Sequence, residues 1–433
     1  MKIAQVYPHS VIRVPHAEIY DALAIVNYEL GRRLARSNAV VSYPKWVPGQ
    51  LEIEEHEGVT YRRIPQRVDA AINLLRALDD RVLRPDRPFR LSSLYYARYA
   101  NRVARDIRER GCEVVHVHSV TNFVPVIRKH NPRARIVLHM HDHSLADFDA
   151  GIVGARLEQA NLIVGCSDFV IDVVRKRFPR VASRCHTLYN GVDERFLDIR
   201  SDPAHSRNVL FVGRLCPEKG VHVLLEAMAK QPTPRDASLS LVGPLDVAPR
   251  EFVDPLRTDP LFADLRSYYS DQASYRDRLV RAVNALERAR LHGKVLNSDI
   301  GTHYSRAGIF VFPSLWHEPF GIPVIEAMAA GLPVVATRGG ALPEIVVEGE
   351  TGFLVERGDA AGLRVAIGKL LADPQLRARM GAAGRERVRA RFTWDKSVSL
   401  LAELYARAEN SAYDSPSAPC AASIAQVATG SRN

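Results

Sequence analysis

Phe310-Val-Phe-Pro-Ser-Leu-Trp-His-Glu318-Pro-Phe-Gly-Ile-Pro-Val-Ile-Glu326-Ala-Met-Ala-Ala-Gly331-Leu-Pro-Val-Val-Ala336 reads as strand, loop, helix and second strand. The two apolar runs are short and unbroken, as strands buried on both faces are. Pro323 suits the first position of a helix, where its missing N–H costs nothing. Gly331 suits a left-handed cap at the other end. Glu318 then lies in the loop and Glu326 in the first helical turn. The N–H groups of Phe320, Gly321 and Ile322 are placed to face a bound anion, and the helix dipole favours one. A glutamate in a first turn is ordinary dipole compensation. That does not account for a second carboxylate in a Gly/Pro-shaped loop at a strand's carboxyl end, where open α/β sheets hold ligands.

The same alternation extends outward in both directions. Upstream, Ile3–Tyr7, Val40–Tyr43, Val114–His118, Ile136–Met140 and Leu162–Cys166 are strand-like, with helical patterns at Ile19–Arg36 and at Asp168–Arg177 behind a Ser167 cap. Asn208–Val212 starts a second series, followed by Ser238–Val242, Lys294–Leu296, Gly308–Phe312 and Pro333–Ala336, with helices at Val221–Lys230 and Pro323–Ala330. The fold class is α/β, with two Rossmann-like parallel-sheet domains in tandem. The expected divisions are residues 1–200, 201–391, a last helix within 392–410 (Asp395–Ala408) and a small, polar, disordered tail 411–433. Residues 244–291 read as a surface insertion with a helical stretch at Tyr275–Arg290.

Of the 433 residues 46% are hydrophobic and 25% charged, a globular balance, and no apolar run approaches a membrane span. The start, Met1-Lys2-Ile3, enters a strand without a leader-like segment. The cysteines (Cys112, Cys166, Cys185, Cys216, Cys420) are scattered as reduced thiols are. These features predict a cytoplasmic protein. The net charge of +10 is dominated by arginine. From Arg81 to Arg110 basic residues outnumber acidic ones, and Arg98, Arg102 and Arg105 share one helical face. A solvated helix explains this; so does attraction to an anionic membrane or a phosphorylated acceptor. No aromatic pattern accompanies the charge, so nucleic acid is not expected as a partner.

Glu318 through Glu326, continued by Ala327 to Val335, by Gly339-Gly-Ala-Leu-Pro-Glu344 and by Gly352-Phe-Leu-Val355, resembles the retaining glycosyltransferases of family GT4, which have the GT-B fold. Phe211-Val-Gly213-Arg214-Leu-Cys-Pro-Glu-Lys219-Gly220 resembles their phosphate-binding loop, and Asn190-Gly-Val-Asp193 their hinge-side motif. The resemblance implies transfer of a hexosyl group from a UDP- or GDP-sugar to an acceptor hydroxyl: a glycan, a lipid-linked sugar or a small soluble metabolite such as an aminocyclitol. It places Arg214 and Lys219 on the diphosphate, Glu318 on the donor sugar, Glu326 on the ribose hydroxyls and the Phe320 and Gly321 N–H groups on phosphate. Residues around Val295 face the base. His141, with Asp142, reaches the donor sugar from the first domain, an assignment that could slip to His139. Retention is described in this family as front-face displacement, with the leaving phosphate deprotonating the acceptor.

Chemistry supports the cationic pair, since fixed cations stabilise charge developing on a leaving diphosphate. With them present no metal cofactor is expected. Two metal readings were weighed. His139, His141 and His143, with His116 and His118, approximate a hydrolase H-x-H-x-D-H one residue short, but no acidic ligand set follows. Asp147-Phe-Asp149 imitates a D-x-D motif away from any strand end. An inactive scaffold is disfavoured by the intact Arg214, Lys219, Glu318 and Glu326 set. One departure from the family is clear: Ser10–Ala24 lacks the glycines usual after the first strand, so Arg13, His16 and Glu18 become candidates for acceptor contacts.

Overall fold

The computed structural model describes residues 1–14, 22–66, 68–69, 72, 86–230, 237–245, 259–262, 265, 268–269 and 271–410. His16, Glu18, Arg81, Arg84 and the tail from Ser411 lie outside them.

The first part runs β1 (Lys2–Val6), α1 (Ala22–Leu34), β2 (Ala39–Tyr43), β3 (Ile53–His56), β4 (Val59–Arg62), α2 (Ala97–Arg110), β5 (Val114–His118), α3 (Phe123–His130), β6 (Arg135–Met140), α4 (Ala150–Leu157), β7 (Leu162–Gly165), α5 (Asp168–Arg177) and β8 (Cys185–Thr187). The second runs β9 (Asn208–Val212), α6 (Val221–Ala229), β10 (Ser238–Val242), α7 (Gln272–Asn284), β11 (Ala289–Gly293), α8 (Ile300–Arg306), β12 (Ile309–Phe312), α9 (Ile322–Ala329), β13 (Val334–Thr337), α10 (Leu342–Ile345), β14 (Gly352–Val355), α11 (Ala360–Ala372) and α12 (Pro374–Arg391), before the last helix α13 (Trp394–Asn410).

Two sheets result. The first has eight strands in the order β3-β4-β2-β1-β5-β6-β7-β8, parallel except for the β3–β4 pair. The second has six, β11-β10-β9-β12-β13-β14, all parallel. Central strands such as β5, β6 and β12 are buried at every residue, which is why their sequences are unbroken apolar runs, histidines aside. Helix starts follow side-chain capping: Ser167 accepts from the Val170 N–H, Asp359 from Gly362 and Asp373 from Leu376.

Several local expectations differ. The strand expected at Lys294–Leu296 is Ala289–Gly293, and the helix expected through Arg290 stops at Asn284. β11 is an edge strand whose residues alternate between more and less exposed, so polar Arg290 and His292 belong in it. Pro323 is the second residue of α9, after Ile322, which moves Glu326 out of the first turn. The β3–β4 hairpin escaped the apolar pattern because its strands are polar; Glu57 and Gly58 turn it with positive φ of 48° and 77°.

The last helix crosses back to the first sheet. Ser397 Oγ donates to Tyr189 O (2.7 Å), Arg33 Nε to Asp395 Oδ1 (3.1 Å) and Arg135 to the Tyr405 carbonyl (3.1 Å). Trp394, Leu401, Leu404 and Tyr405 pack into one core with Ile3, Val26, Leu30 and Val137. The crossing is tight at Gly191: a Cβ there would stand 2.2 Å from the Trp394 nitrogen, so only glycine fits.

Candidate active site

The site is built at the carboxyl ends of β9, β12 and β13. After β9 the chain makes a 3-10 turn, Pro217–Lys219, and Gly220 in the left-handed region starts α6. This brings Lys219 over the end of β12, 5.5 Å above the Phe312 ring. Its Nζ lies 2.6 Å from Glu318 Oε1, which also accepts from the Ser314 hydroxyl. Thus residues 99 positions apart meet in the predicted cluster. The Glu318 loop is held from the other side by Ala341, whose N–H donates to the Glu318 carbonyl at 2.8 Å.

Arg214 extends from the same loop, with 43% of its side chain exposed. It pairs at 3.3 Å with Glu218, a buried carboxylate that also accepts from Tyr269 (2.7 Å). Gly213 donates its N–H to the Val242 carbonyl and so shapes the loop from within. Gly321, at φ 116°, caps α9, while Phe320 is buried beneath it. The first-turn N–H groups of such a helix have no carbonyl inside the helix to bond.

Glu326 lies one turn deeper. Tyr304 donates to it at 2.8 Å, and burial pushes its pKa up to about 7, Tyr304 and Arg195 pulling the other way. It lines a small cavity of about 100 Å³ bounded also by Asn297, Ser298, Ile25, Tyr28 and Asp193. Val295 is half-buried and packs against the core; Asn297 and Ser298, just beyond it, reach the cavity wall. Arg13 is exposed, next to Ile12, whose carbonyl is anchored by Gln50 and Arg63.

The first domain closes against these loops. Glu344 accepts from the N–H groups of Asp168 (2.8 Å) and Phe169 (2.7 Å) at the start of α5, a carboxylate on a helix N-terminus across the cleft. Phe169 stacks on His317, and His143 lies against Trp316 with ring centres 5.4 Å apart. The His139–His141–His143 run is therefore divided. His143 faces the cleft; burial lowers its pKa, against a pull upward from Asp142, Asp147 and Glu318. His141 turns inward, its Nε2 2.9 Å from His118 Nδ1. Among the described residues the group that could hold a metal is His116, His118 and His139. Asp149 is committed elsewhere, capping α4 and pairing with Arg87.

Two facing Rossmann-like domains, with paired cations and paired carboxylates between them, define a GT-B glycosyltransferase. The family described as Glycosyltransferase Family 4 matches residues 23–196, and the one described as Glycosyl transferases group 1 matches residues 196–387. The chain belongs to this group 1, family 4 type of glycosyltransferase. It is 26% identical to spore coat protein SA of Bacillus subtilis over 71% of this chain and 82% of that one. It is 33% identical to a phosphatidyl-myo-inositol mannosyltransferase of Mycobacterium leprae over 47% of each. Among solved structures, sucrose-phosphate synthase from Thermosynechococcus elongatus superposes with a TM-score of 0.69 at 24% identity, covering 94% of this chain and 99% of that one. HepE of Anabaena, in complex with UDP and glucose, gives 0.66 at 19% identity, covering 94% and 100%.

Proposed function

We propose that this enzyme transfers a hexosyl group, with retention, from a UDP- or GDP-sugar to an acceptor hydroxyl in cell-envelope polysaccharide or glycolipid synthesis. The observation that carries this is the convergence of Lys219, Arg214 and Glu318 at the strand ends, with Glu326 on the helix that follows the Glu318 loop. The bond from the anomeric carbon to the diphosphate oxygen breaks, and the acceptor oxygen bonds to that carbon on the same face. The acceptor's proton passes to a departing phosphate oxygen. Lys219 and Arg214 stabilise the charge gained there, so the transfer needs no resident metal. Glu318, released from Lys219 when phosphate takes its place, accepts from hydroxyls of the donor sugar. Glu326, ionised, accepts from the two ribose hydroxyls. His143 forms the wall opposite, with His141 turned inward behind it.

The acceptor side rests on a separate feature. Arg98, Arg102 and Arg105 are exposed on one side of α2, whose other side buries Tyr99, Val103 and Ile107. No helix of the described residues is long and apolar enough to cross a membrane. This basic face supports peripheral contact with an anionic membrane surface on the cytoplasmic side.

A panel of UDP- and GDP-sugars tested by thermal shift checks the donor. A true donor at 100 times its Kd adds about 2.7 kcal/mol. Stabilisation by none of them overturns the reading. Co-sedimentation with phosphatidylglycerol vesicles, lost on changing the three arginines to glutamate, checks the surface; no sedimentation of the wild type points to a soluble acceptor.

A further inference from the structure

Strand geometry alone brings several histidines together. His116 and His118 are two residues apart on β5, as are His139 and His141 around the end of β6, so each pair points to one face. β5 and β6 are parallel neighbours, with His118 directly opposite His139. The face is the one covered by α13. His116, His118 and His139 are each no more than 1% exposed, and a ring nitrogen of each lies within 4.8 Å of the others.

We propose that His116, His118 and His139 form a structural site for one divalent transition-metal ion of the zinc class.

The hydrogen bonds around the cluster leave the right atoms available. His116 Nδ1 is 2.6 Å from the Tyr405 hydroxyl, and donating there leaves its Nε2 lone pair turned toward His139. His118 Nδ1 is 2.9 Å from His141 Nε2; donating there leaves His118 Nε2 as a base, and that atom has no partner among the described residues. A metal-bound histidine keeps just such a second hydrogen bond from its far nitrogen. His116 Nε2 and His139 Nδ1 are 3.1 Å apart, near the roughly 3.3 Å between two nitrogens on one tetrahedral zinc. The buried, partnerless His118 Nε2 is costly, and a bound cation removes that cost. The ligand set has imidazoles but neither carboxylate nor thiolate, which selects zinc-like ions over calcium or magnesium. The ion ties β5 to β6 and, through Tyr405, both to α13. It takes no part in sugar transfer.

The test uses the full chain without a histidine tag, stripped by chelator and titrated with Co2+ and separately with Zn2+. One equivalent should saturate, with the visible bands of a nitrogen-bound cobalt ion of low coordination number. Tyr405→Phe, which keeps the packing and removes the second hydrogen bond, should weaken binding roughly 10–100-fold. His118→Gln should abolish the cobalt spectrum in protein whose circular dichroism is native. Absence of a saturable first equivalent in the wild type overturns the proposal. So does a cobalt spectrum unchanged in both variants, which would assign the metal to surface histidines.

Discussion

Replacing Lys219 by methionine isolates what the Lys219–Glu318 pair contributes. The ammonium and carboxylate are 2.6 Å apart, with 17% and 7% of their side chains exposed. Removing one member of a buried pair costs roughly 3–5 kcal/mol, because the other charge is left without its partner. Ser314 still donates to Glu318 and Lys219 retains some water, so the lower end, about 3 kcal/mol, applies. At 2–4 °C per kcal/mol this lowers the melting temperature by roughly 6–12 °C. Glu318→Gln should cost less, about 1 kcal/mol, since the freed Lys219 can turn to solvent. The double variant should be no worse than Lys219→Met alone, giving a coupling energy of about 1–3 kcal/mol by calorimetry on all four proteins. In parallel, kcat/KM should fall at least about 100-fold in each variant, as when a charge-stabilising donor is lost from a transition state. Equal, small and additive stability losses would refute the reasoning: the pair would then be a solvated surface contact.

Four further outcomes follow from the structure. Burial raises the Glu326 pKa to about 7, so between its unfolded pKa near 4.5 and 7 the folded protein holds a proton that the unfolded chain has lost; stability falls as pH rises through that window, and Glu326→Gln should remove the slope in urea titrations. Because the ionised form is the double acceptor for ribose, nucleotide affinity should instead rise from pH 6 to pH 8, measured by calorimetry with UDP and GDP, and the Gln variant should bind weakly at both. Glu344→Ala, which removes two hydrogen bonds across the cleft, should weaken closure by about 1–3 kcal/mol and increase the radius of gyration in small-angle scattering; an unchanged profile would show that other contacts hold the domains. Gly191→Ala places a Cβ 2.2 Å from the Trp394 nitrogen and should cost about 3 kcal/mol, seen as a lower melting temperature and earlier proteolysis at residues 392–410.

The cluster of Arg214, Lys219 and Glu318, with Glu326 near it in sequence, was legible because its parts are local. Glu318 and Glu326 sit on one strand–loop–helix unit, and Arg214 and Lys219 on one turn, so spacing along the chain already implies proximity. The histidines are different. His116 and His139 meet only because β5 pairs with β6, and Tyr405 joins them from a helix whose apolar stripe names no particular sheet. His141 stays on the side of His139, but the chain leaves the strand at Met140, so alternation does not carry as far as His143, which faces the cleft. β11 and the β3–β4 hairpin lie at sheet edges, where side chains meet water and the hydrophobic signal is weakest. The stretch of sequence around His16 and Glu18, which lies outside the described residues, offers neither glycine nor a periodic pattern.

The return of α13 to the first sheet has a consequence for biosynthesis. Tyr405 and His116 are separated by 289 residues, so the earlier of the two domains to be made is sealed only after the later one. At 5–20 residues per second, an apolar face built on Ile3, Val26 and Val137 waits roughly 15–60 s for its cover. During that interval the nascent chain carries an unsealed surface while its partner domain is still being made. By docking near Gly191, α13 completes both the first-sheet domain and the joint between the two halves.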